Sequence, residues 1–361
     1  MTSNTSHLMV MAGGTGGHVF PALAVAKEMQ AAGTRITWLG TRRGIEARVI
    51  PENNIPIEWV SVEGLRGNGW VGWLLAPFKL VRALCQSVGA IRRTQPDCIL
   101  GMGGFVAGPG GVAARILSKP LVVHEQNAVA GLTNKYLAKI ASRVLTGFPN
   151  VAGLNQDAEW VGNPVRKSIS PNNPQSSGIN ILIVGGSQGA HSFNEKLPTI
   201  FAQLGLGEGQ TQIWHQTGRG RHQEVIKAYK TNNISAKVSE FIDDMAAAYQ
   251  WADLLICRAG AMTIAECCAA GLPSLLVPYP FSAGDHQLKN AQALVDIGAA
   301  RLISNQQLDE PIVLDTLAEM LADKNALLLM GNKAHSLHKA DALQQVVSTC
   351  QDLMIAGGDH A

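Results

Sequence analysis

The chain has 361 residues, 46% hydrophobic and 16% charged, with a formal net charge of +2. That length and apolar content suit two domains with packed cores, and the balanced charge excludes the dense basic stripe that holds a nucleic-acid backbone. Polar residues 1–6 lead into a strand with no basic start or signal-type apolar run, and the apolar stretch Trp70–Phe78 is far short of the roughly 20 residues that span a bilayer. Cys85, Cys98, Cys257, Cys267, Cys268 and Cys350 show no C-x-x-C spacing and read as reduced core thiols, so a soluble, cytoplasmic protein is expected.

In chain order, Leu8–Met11 reads as a short buried strand, and Ala12-Gly-Gly-Thr-Gly-Gly-His18 as a glycine-rich turn into a helix over 19–32. The turn looks like a Rossmann start, yet the dinucleotide spacing fails. With Gly14 and Gly16 as the first two glycines, the third position falls on Val19, and the strand 35–39 is followed by Gly40-Thr41-Arg42 instead of an acid. The loop suits a phosphate more than a dinucleotide. Further strand–helix units lead to Cys98–Leu100 and a second glycine-rich turn over 101–111. The next strand ends in His124-Glu-Gln-Asn127, which reads either as a ligand-facing group at the carboxyl end of a parallel strand or as a polar cap on the following helix.

The Ser-, Asn- and Pro-rich run 168–178 reads as a linker, after which Ile181–Val184 and Gly185–Ala190 echo the opening pattern. Strand Leu254–Cys257 enters Arg258-Ala-Gly-Ala-Met-Thr-Ile-Ala-Glu266, a small-residue turn opening a helix that Gly271 and Pro273 stop. Helices are expected over 311–322 and 326–354. The repeated halves predict an α/β protein of two Rossmann-like, doubly wound parallel-sheet domains facing a central cleft. Their expected bounds are 1–165 and 166–340, with the closing helix, about 340–361, able to cross back onto the first.

A helix N-terminus carries about half a positive charge and a diphosphate about two negative ones, so one helix end cannot neutralise it. Four glycine- or small-residue turns precede helices, two in each half. They predict two diphosphate ligands, one per domain, held by backbone dipoles and by arginines such as Arg166 and Arg258, with no obligatory metal or other cofactor. Asp243-Asp244 reads as a pair of acids at a helix start rather than a metal site. Glu266, two turns into its helix, could accept both hydroxyls of a ribose. His18 reads either as a general base for a sugar hydroxyl or as a hydrogen-bond donor to a phosphate or carbonyl. His7, His222, His335, His338 and His360 read as solvated. The segment Arg66–Arg82 holds more apolar residues than one helix face needs, among them Trp70, Trp73, Leu74, Leu75 and Phe78, flanked by Lys79 and Arg82. Either core packing or an anionic membrane surface covers it.

Nine stretches in order carry a resemblance: GGTGGHVFPALAVA from Gly13, GMGGFVAGPGG from Gly101, HEQNAVAGLTNKYLA from His124, GNPVR from Gly162, GGSQGA from Gly185, EFIDDM from Glu240, RAGAMTIAE from Arg258, GLPSLLVPYP from Gly271 and DHQLKNA from Asp285. Together they resemble the MurG family of peptidoglycan glycosyltransferases in the GT-B superfamily, over Val10 to about Ala300. The resemblance implies a GT-B fold and inverting transfer of GlcNAc from UDP-GlcNAc to the C4 hydroxyl of lipid I. It also implies a peripheral position on the cytoplasmic face of the bacterial inner membrane, an anionic surface, and contacts with other cell-wall synthesis proteins. By position, Ser187 and Gln188 would meet the donor diphosphate with help from Arg166, and Ile242 the uracil. Ala261, Met262, Thr263, Ile264 and Ala265 would line the nucleotide, Glu266 take the ribose, and Gln287 and Asn290 read the GlcNAc hydroxyls. Thr15, Gly16, Gly17 and Asn127 would approach the transferred sugar, Gly14, Gly103 and Gly104 the acceptor diphosphate, and His18 would be the base. Phe105 stands where some relatives are expected to carry Tyr. Two rival readings are a UDP-GlcNAc 2-epimerase and a noncatalytic membrane recruiter of a partner transferase.

Overall fold

A computed structural model of the chain describes residues 5–62, 69–171, 178–186, 189–206 and 211–358, with backbone alone for 69–75, 283 and 357–358. It divides into two units, Met1–Pro164 with Ala340–Ala361, and Val165–Lys339.

Unit 1 alternates strands and helices: β1 (His7–Met11), α1 (Gly16–Ala31), β2 (Arg35–Gly40), α2 (Glu46–Glu52), β3 (Ile57–Trp59), α3 (Gly69–Thr94), β4 (Cys98–Gly101), α4 (Ala107–Ile116), β5 (Leu121–Glu125), α5 (Leu132–Leu137), β6 (Arg143–Thr146) and β7 (Glu159–Trp160). The sheet order is β3-β2-β1-β4-β5-β6-β7, and every pairing is parallel. Parallel strands covered on both faces are apolar along their length instead of alternating. β1 and β5 accordingly bury all their residues. Trp38 is wholly buried and donates its indole N–H to the Ala12 carbonyl at 2.9 Å, tying β2 to the first glycine turn.

Unit 2 repeats the scheme: β8 (Asn180–Val184), α6 (His191–Gln203), β9 (Gln212–Gln216), α7 (His222–Thr231), β10 (Lys237–Ser239), α8 (Met245–Trp251), β11 (Leu254–Cys257), α9 (Ala261–Ala270), β12 (Ser274–Leu276), α10 (His286–Asp296), β13 (Ala300–Leu302), α11 (Ile312–Ala322) and α12 (Lys324–His335). Its order, β10-β9-β8-β11-β12-β13, is parallel throughout. In each unit the order reverses once, between β1 and β4 and between β8 and β11. The carboxyl ends of those four strands are where a doubly wound sheet leaves a crevice for ligand, and each runs into one of the four small-residue turns.

The last helix, α13 (Ala342–Gly358), belongs to unit 1, where Val346, Val347 and Cys350 join the core formed by α1 and β4. The single helix expected over 326–354 is therefore two. α12 stops at His335 and α13 starts at Ala342, because the chain leaves unit 2 at Lys339 between them. His7, expected in solvent, is buried at the start of β1, with Nδ1 2.9 Å from the Thr94 carbonyl and Nε2 2.8 Å from Thr37 Oγ1. His335 Nδ1 lies 3.1 Å from the Cys268 carbonyl, and His360 falls outside the described residues. All six cysteines are free, and five are buried. Asp244 caps α8 by accepting the Ala247 N–H at 3.0 Å, as expected for an acid at a helix start.

Candidate active site

In unit 1 the two glycine turns meet. The α1 N-cap is Thr15, whose side chain makes no capping bond. Gly17 in the first turn is exposed, and the first N–H groups of a helix have no partner within it. Gly104 has φ +84°, and a Cβ there would lie 2.4 Å from the Gly13 carbonyl oxygen. Gly103 has φ +98°, and a Cβ there would lie 2.9 Å from the His18 ring. The second loop can thus lie against the first, and under the His18 imidazole, only as glycine.

Beneath the first loop sits Glu46, fully buried on α2. Its Oε2 accepts the Gly14 N–H at 3.0 Å, and its Oε1 accepts the Thr41 N–H at 3.1 Å and hydroxyl at 2.7 Å. The Gly14 N–H is thus bonded to an internal carboxylate.

The polar tetrad at the end of β5 divides its labour. His124, Glu125 and Gln126 are buried, and only Asn127 is partly open. Glu125 accepts the Asn127 N–H at 2.9 Å and side-chain amide at 3.0 Å through Oε1. Through Oε2 it accepts the Gly131 N–H at 3.0 Å and the Asn134 amide at 2.9 Å, so it fixes Asn127 and the start of α5 together. Gln126 Oε1 lies 2.8 Å from His18 Nδ1, and Gln126 Nε2 lies 3.1 Å from His124 Nδ1. His124 Nε2 in turn lies 2.9 Å from the Gly162 carbonyl. Burial lowers the His124 pKa from 6.5, with the bond to the Gly162 carbonyl opposing, so the ring is neutral.

In unit 2, Glu266 on α9 accepts the Tyr249 hydroxyl at 2.9 Å and pairs with Arg166 Nε at 3.8 Å. Burial raises its pKa, with Arg166 opposing. Ala261 and Ile264 are buried, while Met262, Thr263 and Ala265 are partly open on the same helix, and Ile242 is partly open ahead of α8. Asn290 is fully buried on α10 and donates to the Ala259 carbonyl at 3.2 Å, so it holds the turn after β11. Gln287 accepts the Tyr279 N–H at 2.8 Å.

Arg258 does not do what its position in the sequence suggests. Its guanidinium donates to the Val277 and Pro278 carbonyls at 3.0 and 3.3 Å and to Ser192 Oγ at 2.9 Å, and stacks 4.6 Å from the Phe193 ring centre. Carbonyls beyond the end of β12 need donors, and Arg258 supplies them, which leaves Arg166 as the arginine beside Glu266. Ser187 and Gln188 lie outside the described residues. The chain just before them is held by Gln216, which accepts the Gly185 N–H at 3.2 Å and donates to the Gly186 carbonyl at 3.1 Å. Glu46, Tyr249 and Gln216 were not singled out in the sequence, and Gln126 only as one of the polar tetrad, because each acts across 30 or so residues of chain or more, or from inside an unremarkable helix.

Of the expected membrane patch, Phe78, Lys79 and Arg82 are exposed on α3, Phe78 at 75%. The side chains of Trp70, Trp73, Leu74 and Leu75 fall outside the described residues. The apolar face extends further than expected. Val112 and Ile116 on α4 and Leu132 and Tyr136 on α5 are also exposed, and α3, α4 and α5 pack in sequence. Among the described residues, no helix is long and apolar enough to cross a membrane, and no cluster of three or more His, Cys, Asp or Glu could hold a metal.

Comparison with known proteins gives these features a family. Residues 8–146 match the glycosyltransferase family 28 N-terminal domain and residues 180–346 its C-terminal domain. The chain is 45% identical to a protein of Nitrosococcus oceani named UDP-N-acetylglucosamine--N-acetylmuramyl-(pentapeptide) pyrophosphoryl-undecaprenol N-acetylglucosamine transferase, over 97% of this chain and 99% of that one. It is 47% identical to the protein of the same name from Shewanella sediminis, over 99% and 100%. The crystal structure of Acinetobacter baumannii MurG superposes with a TM-score of 0.85 at 40% identity, covering 96% of this chain and 99% of that one. The calicheamicin glycosyltransferase CalG4, at TM-score 0.72 and 16% identity over 97% and 98%, shares the fold. Two doubly wound units, both domain models and near full-length identity place the chain in glycosyltransferase family 28, as a GT-B enzyme.

Proposed function

We propose that the chain transfers GlcNAc from UDP-GlcNAc to the C4 hydroxyl of lipid I, giving lipid II. The observation that carries this reading is the near full-length identity to proteins named for that reaction. The acceptor oxygen attacks the anomeric carbon as the bond to the UDP oxygen breaks. The configuration inverts, UDP leaves with the bonding electrons, and the hydroxyl proton passes to His18 Nε2. The start of α1 and the loop at Gly103 and Gly104 receive the acceptor diphosphate, and Thr15, Gly16, Gly17 and Asn127 approach the sugar. Unit 2 takes the donor: Glu266 accepts the ribose hydroxyls, Arg166 with Ser187 and Gln188 meets the diphosphate, Ile242 meets the uracil, and Gln287 and Asn290 read the sugar. Dipoles and Arg166 supply the countercharge without an obligatory metal. The epimerase and the recruiter are not favoured, since these near full-length relatives are named for the transfer reaction.

We further propose that α3, α4 and α5 dock on the cytoplasmic face of the inner membrane. Between Phe78 and Arg143 the only acids are Asp97 and Glu125. Asp97 accepts the His7 N–H and Glu125 is buried, whereas Lys79, Arg82, Arg115, Lys135 and Lys139 are exposed around the apolar residues. That is the charge pattern an anionic lipid surface attracts. Contacts with other cell-wall synthesis proteins are part of the same proposal.

The test is transfer of labelled GlcNAc from UDP-GlcNAc to a short-chain lipid I analogue. Labelled disaccharide and free UDP are expected, with turnover by His18→Ala lowered about 10²-fold or more. UDP-ManNAc without acceptor would favour the epimerase.

A further inference from the structure

The hydrogen bonds around His18 determine which of its nitrogens carries the proton. The Gly162 carbonyl can only accept, so His124 Nε2, 2.9 Å away, must be protonated. His124 is neutral, so its Nδ1 holds a lone pair and can only accept, at 3.1 Å, from the Gln126 amide nitrogen. A second contact fixes the same orientation of that amide. Gln126 Nε2 also donates to the His124 carbonyl at 3.0 Å, which an amide oxygen could not do. Gln126 Oε1 is thereby turned to His18, and at 2.8 Å from Nδ1 it can only accept. His18 Nδ1 must therefore be the protonated nitrogen.

From this chain we infer that Gln126 is a positioning residue that holds neutral His18 as the Nδ1–H tautomer, leaving the Nε2 lone pair as the site that accepts a proton. A free histidine side chain in water favours the opposite tautomer, with the proton on Nε2 and no lone pair there to act as base. The relay is rigid at its far end. Gly162 follows β7, and its N–H donates to the Thr146 carbonyl at 3.0 Å, while Asn163 donates to the Gln126 carbonyl at 3.0 Å. It is also uncharged. A glutamine and a buried neutral histidine achieve the orientation with no net charge.

The inference rests on the proposed role of His18 as the base, and its test separates the two. Long-range ¹H–¹⁵N spectra of the full chain labelled at histidine, at pH 8, report the tautomer of each ring. The His18 signals are assigned by their loss in His18→Gln. The expected result is protonated Nδ1 and bare Nε2 for His18 in the wild type. In Gln126→Met, which keeps the volume and removes all three side-chain bonds, the proton shifts towards Nε2. With the lipid I analogue, kcat of Gln126→Met should fall about tenfold or more, up to the roughly 10²–10⁴-fold that a general base supplies, with KM for UDP-GlcNAc unchanged. A wild-type His18 protonated on Nε2 overturns the inference whatever the activity. So does an unchanged kcat in a Gln126→Met variant whose tautomer has shifted. A wild type with the Nδ1–H tautomer but no transfer would leave the orientation standing and remove the transferase reading.

Discussion

Gly104 and Tyr249 show how much of the site depends on single atoms. A methyl at Gly104 would collide with the Gly13 carbonyl and would demand a left-handed backbone, φ +84°, of a side-chain-bearing residue. Gly104→Ala should lose about 1–3 kcal/mol of stability, seen as a lower melting temperature. Transfer should fall by more than the unfolded fraction explains, because the loops separate under His18. Tyr249 donates the hydroxyl bond that fixes one oxygen of Glu266. A bond to a charged group contributes about 1.5–3 kcal/mol. Tyr249→Phe should therefore raise KM for UDP-GlcNAc roughly tenfold while the fold persists, and an unchanged KM would show that Glu266 needs no support. The glycines were legible as local runs, since positive φ and close approach leave a mark in composition. Glu46 and Tyr249 were not, nor was the pairing of Gln126 with His18, since the partners lie 32, 17 and 108 residues apart. Arg258 misled for the same reason. Its place after a strand suggested phosphate, but its carbonyl partners come from beyond another strand.

Among the elements, α3 shows the reach and the limit of periodicity. The excess of apolar residues over 66–82 was visible in the sequence, whereas the exposed side chains of α4 and α5 look like ordinary amphipathic residues until packing sets the three helices side by side. At about 25 cal/mol per Å², each large side chain moved into lipid contributes on the order of 1–3 kcal/mol. Phe78→Ser with Leu132→Ser should thus weaken sedimentation with phosphatidylglycerol vesicles at least tenfold and leave transfer to a soluble acceptor analogue unchanged. Equal loss of both would assign the two side chains to folding. The tetrad at the end of β5 shows the opposite case. The sequence left open a ligand-facing group or a helix cap, and the buried Glu125 does the second, while it also holds the partly open Asn127.

Over the whole molecule, the doubly wound order was legible because the strand, glycine turn and helix recur in each half. The break between α12 and α13 was not, since apolar periodicity continues across it. Burial also sets a pH dependence. His7, His124 and His215 all have pKa values lowered from 6.5, each by burial first, with Arg35 adding to it at His7, and His215 is lowered to about 3. The unfolded chain therefore binds more protons than the folded one as pH falls below 6.5, and stability is lost in that direction. Each such group contributes a limiting slope of about 1.4 kcal/mol per pH unit. The melting temperature should drop between pH 7.5 and 5, and a flat profile would contradict the buried, neutral state of these rings. The central claim is inverting transfer to one hydroxyl of lipid I, and the most direct measurement is the NMR structure of the disaccharide made from UDP-GlcNAc and a short-chain lipid I analogue in EDTA. A β linkage to C4 of the MurNAc, formed at an undiminished rate, is predicted. An α linkage, a bond to another hydroxyl, or no product until a divalent metal is restored would contradict it.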